Sequence, residues 1–231
     1  MVYASYETGS IGERKPVKRT WSEYLKDETL FNNAIRLRYL IWTIERYVPR
    51  GSRLLEVGFG SGTTAVLLAD LGYIVTAVDI DEVLVARLGD RYADWIQMGR
   101  LEVRRSDMLA LPWQAREFDL AYSQGVLEHF PDEQIVQALR EQARVARWII
   151  FDVPNHRLGA RPFGDERLLS PSHWWGLLNQ AGLELVDRVG RDFHRGLYVF
   201  PFALFSRQGL VKCPWFSRWF GTNSIFVCRS S

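Results

Sequence analysis

The stretch 53–81, RLLEVGFGSGTTAVLLADLGYIVTAVDID, constrains the fold more than any other part of the chain. A short apolar run (Leu54, Leu55, Val57) stands between Gly51 and Gly58, and such a run reads as a strand buried on both faces. Gly58-Phe59-Gly60-Ser61-Gly62 follows at once. Ala65, Leu68, Ala69 and Leu71 then recur at helical spacing until Gly72 stops the helix. A second apolar run, Ile74 to Val78, ends on Asp79. Strand, glycine turn, helix, strand and acid make the first βαβ unit of a nucleotide-binding α/β domain.

Without Cβ atoms, the glycines let this turn adopt positive φ and let a ligand lie against bare backbone. The helix that opens near Ser61 points its unpaired N–H groups into the same space. Asp79, at the carboxyl end of the second strand, is placed to accept hydrogen bonds from ribose hydroxyls. The expected ligand therefore carries a ribose. Chain reversal alone is the plainer reading of the glycines, and the acids before and after them argue against it.

A dinucleotide fingerprint, G-x-G-x-x-G, would set its third glycine where Thr63 stands. The pattern here is Glu56-x-Gly58-x-Gly60-x-Gly62, with the acid at the end of the first strand. It resembles motif I of the class I S-adenosylmethionine-dependent methyltransferases, and the layout is similar to that of the ubiquinone/menaquinone-methyltransferase-like, small-molecule branch. The resemblance covers roughly residues 50–190 plus the final strand. It implies a three-layer, doubly wound, Rossmann-like α/β domain whose seven-stranded sheet runs 3-2-1-4-5-7-6 with the last strand antiparallel. It implies S-adenosylmethionine as cofactor, with Glu56 facing the methionine end and Gly58, Phe59, Gly60 and Gly62 forming the loop.

At 47% hydrophobic and 24% charged, the 231 residues compose an ordinary globular chain, long enough for one such domain. A net charge of +2 falls far short of the footprint of a dedicated nucleic-acid binder. Cys213 and Cys228 make neither a disulfide framework nor a zinc spacing, which with the polar start of the sequence points to a reducing, cytoplasmic setting. The longest apolar run, Leu197 to Phe205, contains Pro201 and is too short to span a membrane.

Residues 1–20 are polar and glycine-containing and read as a flexible arm preceding a single domain, 21–231. Residues 21–48 read as two helical pieces, which in the resembled family lie over the cofactor; docking on the sheet is the plainer reading. Asp81 fits the N-cap of a helix running to about Met98. The third strand, Leu101 to Arg105, leads into Ser106-Asp107-Met108. The resemblance gives Asp107 the adenine amino group, sets Met108 beside the ring and lets Ile80 cover its other face, although a simple turn acid explains Asp107 equally simply.

The fourth strand, Phe118 to Tyr122, ends in SQGVLEHF. Backbone carbonyls near Ser123 and Gln124 lie where the cofactor's ammonium would arrive. Leu127-Glu128-His129-Phe130 looks like the L-x-H-hydrophobic motif of many small-molecule methyltransferases, which makes His129 a base or substrate contact; a histidine packed at a helix start is the alternative. Where enzymes that methylate DNA bases carry [N/D]-P-P-[Y/F], this chain has Ser123-Gln124-Gly125-Val126, which argues against that substrate. Pro131-Asp132-Glu133 opens another helix, Trp148 to Val153 is the fifth strand, and 156–169 is a polar loop over the strand ends. Ser170-Pro171 caps a helix that Gly182 closes; Leu183 to Val189 and Ser224 to Cys228 are the remaining strands. The aromatic insertion 193–221 carries Trp215, Phe216, Trp219 and Phe220 at i, i+4 spacing, and three readings stay open: added core, a lid over an apolar substrate, or a homodimer or membrane-surface patch.

The expected function is methyl transfer to an O, N or C nucleophile of a small, partly apolar acceptor, with neither DNA nor an integral membrane involved. The rivals are an RNA or protein methyltransferase, a non-catalytic S-adenosylmethionine-binding protein and, weakest, a nicotinamide oxidoreductase.

Overall fold

The computed structural model describes residues 3–6, 16–19, 30–158, 165–193 and 221–230. Two four-residue strands within the first twenty residues, β1 (Tyr3–Tyr6) and β2 (Pro16–Arg19), pair antiparallel. Helix α1 (Leu30–Tyr47) follows. The expected βαβ unit is β3 (Arg53–Val57), α2 (Thr63–Asp70) and β4 (Ile74–Asp79). Then come α3 (Glu82–Arg91), α4 (Ala93–Gln97), β5 (Leu101–Arg105), β6 (Phe118–Gln124) and a 3-10 turn at Leu127–His129. Helix α5 (Asp132–Val145), β7 (Ala146–Pro154), α6 (Pro171–Ala181), β8 (Leu183–Phe193) and β9 (Gly221–Ser230) complete the chain. The helical piece expected before Leu30 and the aromatic stretch between β8 and β9 lie outside the described residues.

Seven strands form one sheet in the order β5-β4-β3-β6-β7-β9-β8. Counted within the sheet this is 3-2-1-4-5-7-6, and β9 runs antiparallel to both β7 and β8, as expected. Strand order reverses between β3 and β6, so a crevice opens at their carboxyl ends. The two central strands are almost wholly buried because helices cover both faces. On one face α1 and α2 bring Leu40, Ile44, Ala65 and Leu68 against Leu54, Tyr122 and Ile150. On the other, α5 and α6 bring Ile135, Leu139, Trp174 and Leu177 against Phe151 and Phe226, whose rings stack at 4.9 Å.

Local chemistry sets the element ends. Asp81 Oδ1 accepts from the backbone N–H groups of Val83 (2.9 Å) and Leu84 (3.3 Å), as its N-cap position demands. Ser170 caps α6 through the His173 N–H, and Gly182 ends that helix at φ 75°. The single helix expected from 82 to 98 is instead two, because Tyr92 leaves helical geometry at φ −121°, ψ 31° and seats its ring in the core. Strands β8 and β9 outrun their expected lengths, since their polar residues alternate along paired edges rather than forming an apolar run.

Candidate active site

The site is built on the ends of β3, β4 and β6. Glu56 is the penultimate residue of β3 and pairs in register with Tyr122 of β6, so the two side chains share one face of the sheet. Glu56 is 2% exposed, and burial pushes its carboxyl up to about 8; the Tyr122 hydroxyl and the Ala65 amide in the first turn of α2 pull it back less than burial raises it. Its Oε2 is closed off from solvent and has no hydrogen-bond partner among the described residues. A ligand that brings a positive charge would complete an acid kept so dry.

Directly after β3 the backbone turns through three glycines with positive φ: Gly58 (73°), Gly60 (51°) and Gly62 (70°). Two of them also leave no room for a side chain. A Cβ at Gly58 would lie 2.5 Å from Val126 Cγ2, and one at Gly62 would lie 1.9 Å from Leu88 Cδ1. The loop is thus pinned between α3 and the turn after β6, with Gly62 as the N-cap of α2. Phe59 points inward and packs in the core, which makes it an anchor of the loop. Beside the loop, Gly60, Ser61, Leu84, Arg87, Leu88 and Arg91 line a small, shallow groove.

Asp79 ends β4 opposite this turn. Burial holds its carboxyl above the usual carboxylate range, offset in part by the amides of Asp81, Gly60 and Ile80 that face it. The Asp81 N–H donates to Asp79 Oδ1 at 3.0 Å. The Gly60 contact joins loop and acid into one wall. Ile80, 54% exposed beside it, offers an apolar surface at the mouth. Asp107 is exposed and its Oδ1 accepts from the Leu109 N–H at 2.9 Å, a local turn that leaves its other oxygen for a ligand. Met108 is partly buried and packs against the core.

On the far side of the crevice, Ser123 is buried with no partner for its hydroxyl, and Gln124 Nε2 donates to Asp152 Oδ2 at 3.4 Å. The turn that follows presents Glu128 and His129. The His129 side chain is 2% exposed, and its Nδ1 lies 2.9 Å from Asp165 Oδ1. A histidine oriented by a carboxylate through Nδ1 is the tautomer that keeps a lone pair on Nε2. Asp165 had no signal in the sequence, because it arrives from a loop 36 positions away. Asp152 and Arg191 were also missed; they form a buried pair, Nη2 to Oδ2 2.6 Å, on the last turns of β7 and β8. A charged residue inside the apolar strand IIFDVP was the one available hint.

With this geometry in hand, comparison with known proteins is informative. A family model described as a methyltransferase domain matches residues 54–148. The 27-O-demethylrifamycin SV methyltransferase of Amycolatopsis mediterranei is 34% identical over 148 residues, which are 64% of this chain and 47% of that protein. Ribosomal RNA small subunit methyltransferase A of Mycobacterium tuberculosis is 28% identical over 211 residues, 77% of this chain and 65% of that one. The ubiquinone biosynthesis O-methyltransferase of Coxiella burnetii is 34% identical over 181 residues, covering 70% of this chain and 75% of its own. The chain thus spans about half to two thirds of the first two relatives' length. Among solved structures, magnesium protoporphyrin IX methyltransferase from Synechocystis PCC 6803 superposes with a TM-score of 0.63 at 16% identity over 91% of this chain and 93% of that one, a likeness of fold. The glycine loop between two acids, the strand order and these relatives together establish that the chain belongs to the class I S-adenosylmethionine-dependent methyltransferases.

Proposed function

We propose that this protein is a cytoplasmic enzyme that moves the methyl group of S-adenosylmethionine onto a nucleophile of a small, partly apolar molecule. The observation that carries this reading is the contact between its two halves. The glycine loop that follows Glu56 packs at Gly58 against Val126, in the turn that presents His129 and its partner Asp165. Cofactor and acceptor groups would therefore meet at one crevice. Among the described residues no helix is long and apolar enough to cross a membrane.

When bound, the cofactor supplies an electrophilic methyl carbon and a neutral thioether leaving group. The protein's part is alignment and dryness. Glu56 and the loop amides would hold the methionine end, Asp79 would hold the ribose, and Asp107 with Ile80 would frame the adenine. His129 would accept a proton at Nε2 from an acceptor hydroxyl, and Asp165 would stabilise the imidazolium that results. The ubiquinone-pathway relative, an O-methyltransferase by name, supports an oxygen acceptor.

A second reading, methylation of RNA, is favoured by the ribosomal RNA methyltransferase relative. Labelled methyl transfer from S-adenosylmethionine to a panel of phenols and hydroxyl compounds, run beside total RNA, separates the two. Label on a small molecule is the expected result. Label on RNA alone, with rates falling steeply as salt rises, would replace the first reading with the second. Cofactor binding without transfer to anything would leave a binding protein.

A further inference from the structure

The reaction scheme above leaves Glu128 unused, yet it is one of the least accommodated groups in the chain. It is 2% exposed, and its Oε2 is closed off without a hydrogen-bond partner. Around it stand two more buried acids, Asp152 (1% exposed) and Glu166 (2%), whose charges oppose its ionisation. Of the nearby cations, Arg191 favours its ionised form, the smallest of these influences. Arg191 gives both Nε (2.7 Å) and Nη2 (2.6 Å) to Asp152 Oδ2. Arg167 donates its backbone N–H to the Glu128 carbonyl at 2.8 Å but sends its guanidinium to Asp132 Oδ1 (2.7 Å) and to the Phe130 carbonyl (2.7 Å).

An acid closed off without a counter-charge is costly to keep, and a partner from outside that brings a positive N–H group removes the cost. Glu128 sits in the turn whose Val126 touches the glycine loop, which puts it next to the strand-end crevice. A metal ion is the poorer fit, since no group of three His, Cys, Asp or Glu among the described residues has the geometry to hold one. We propose that Glu128, backed by Asp152 and Glu166, is a recognition site for a cationic nitrogen, an amine protonated near neutral pH, carried by the methyl acceptor. The inference rests on the methyltransferase reading and narrows its substrate class.

The test uses the full chain saturated with S-adenosylhomocysteine and three probes that share a phenol ring: tyramine, 4-ethylphenol and 4-hydroxyphenylacetate. Calorimetry should give tyramine roughly tenfold tighter binding than 4-ethylphenol, the scale of one well-placed ionic hydrogen bond, with the anion weakest. Glu128→Gln, which keeps the shape, should erase that preference and leave S-adenosylhomocysteine affinity unchanged. The proposal is overturned by equal or reversed binding of the three probes, or by no tyramine binding at millimolar concentration. It is equally overturned if the preference survives in Glu128→Gln, or if that variant loses cofactor affinity, which would assign Glu128 to the cofactor. Failure of the wild-type chain to bind S-adenosylhomocysteine would instead sink the methyltransferase reading itself, so the two failures are told apart.

Discussion

Cofactor binding should expel a proton from Glu56. The carboxyl of this residue ordinarily titrates near 4.5 and is pushed up to about 8 in the folded chain, chiefly by burial. At pH 7 about nine in ten molecules therefore hold it protonated, since the solution lies one unit below its midpoint. An ammonium arriving beside Oε2 favours the carboxylate, so binding S-adenosylmethionine at pH 7 should release close to one proton per cofactor. Calorimetry in phosphate and in Tris, whose ionisation enthalpies differ, reads that proton directly as a difference in apparent binding enthalpy. Glu56→Gln should abolish the buffer dependence and weaken binding by about 1–3 kcal/mol, the range for a charged hydrogen bond.

The same variant carries a stability signature. A raised folded pKa makes the Glu56 contribution complete below pH 4.5 and loses it as pH climbs through about 8. Across that window stability should fall by about 1.4 kcal/mol per pH unit for this group. Glu128, also pushed up to about 8, and the raised Asp79 add slopes of the same sign, so Glu56→Gln should flatten the wild-type profile in part. An enthalpy independent of buffer in the wild type, or overlapping stability profiles for wild type and variant, would refute the reasoning.

Three further substitutions probe the rest of the site. Asp79→Ala should weaken cofactor binding by about 1–3 kcal/mol in the same titration, and unchanged affinity would remove Asp79 from the ribose wall. Asp165→Asn should lower kcat while sparing both KM and cofactor affinity, with His129→Ala losing about 10²-fold or more; equal turnover in both variants would return the pair to a packing role. Gly62→Ala forces a side chain into a φ of 70° and within 1.9 Å of Leu88, so thermal unfolding should show a loss of about 2–4 kcal/mol, combining left-handed strain with overpacking. A wild-type melting curve would mean that α3 shifts freely.

What was readable in the sequence was chiefly what local chemistry decides. The βαβ unit announced itself because apolar runs, glycines and acids sit within one continuous stretch. Asp81 and Ser170 declared their helix ends for the same reason, since a cap acts on the next turn of its own chain. Groups that meet only through the fold were not readable. Asp165 finds His129, and Arg191 finds Asp152, across 36 and 39 positions, and no periodicity connects them. Glu128 reads in the sequence only as part of a motif, because nothing local reveals that its carboxyl is buried. Phe59 lies within the loop pattern yet serves the core, a choice made by the packing of α1 and α2 above it. The break at Tyr92 likewise depends on where the ring can be buried, which an i, i+4 pattern alone does not specify.

The central claim is that the crevice between β3 and β6 holds S-adenosylmethionine, and titrating the chain with S-adenosylmethionine, S-adenosylhomocysteine and NADH tests it most directly. Micromolar binding of the first two, with none of NADH, is the predicted result. NADH binding without either of the others, or no binding at all, would contradict the account and return the glycine loop to a purely structural turn or to another nucleotide.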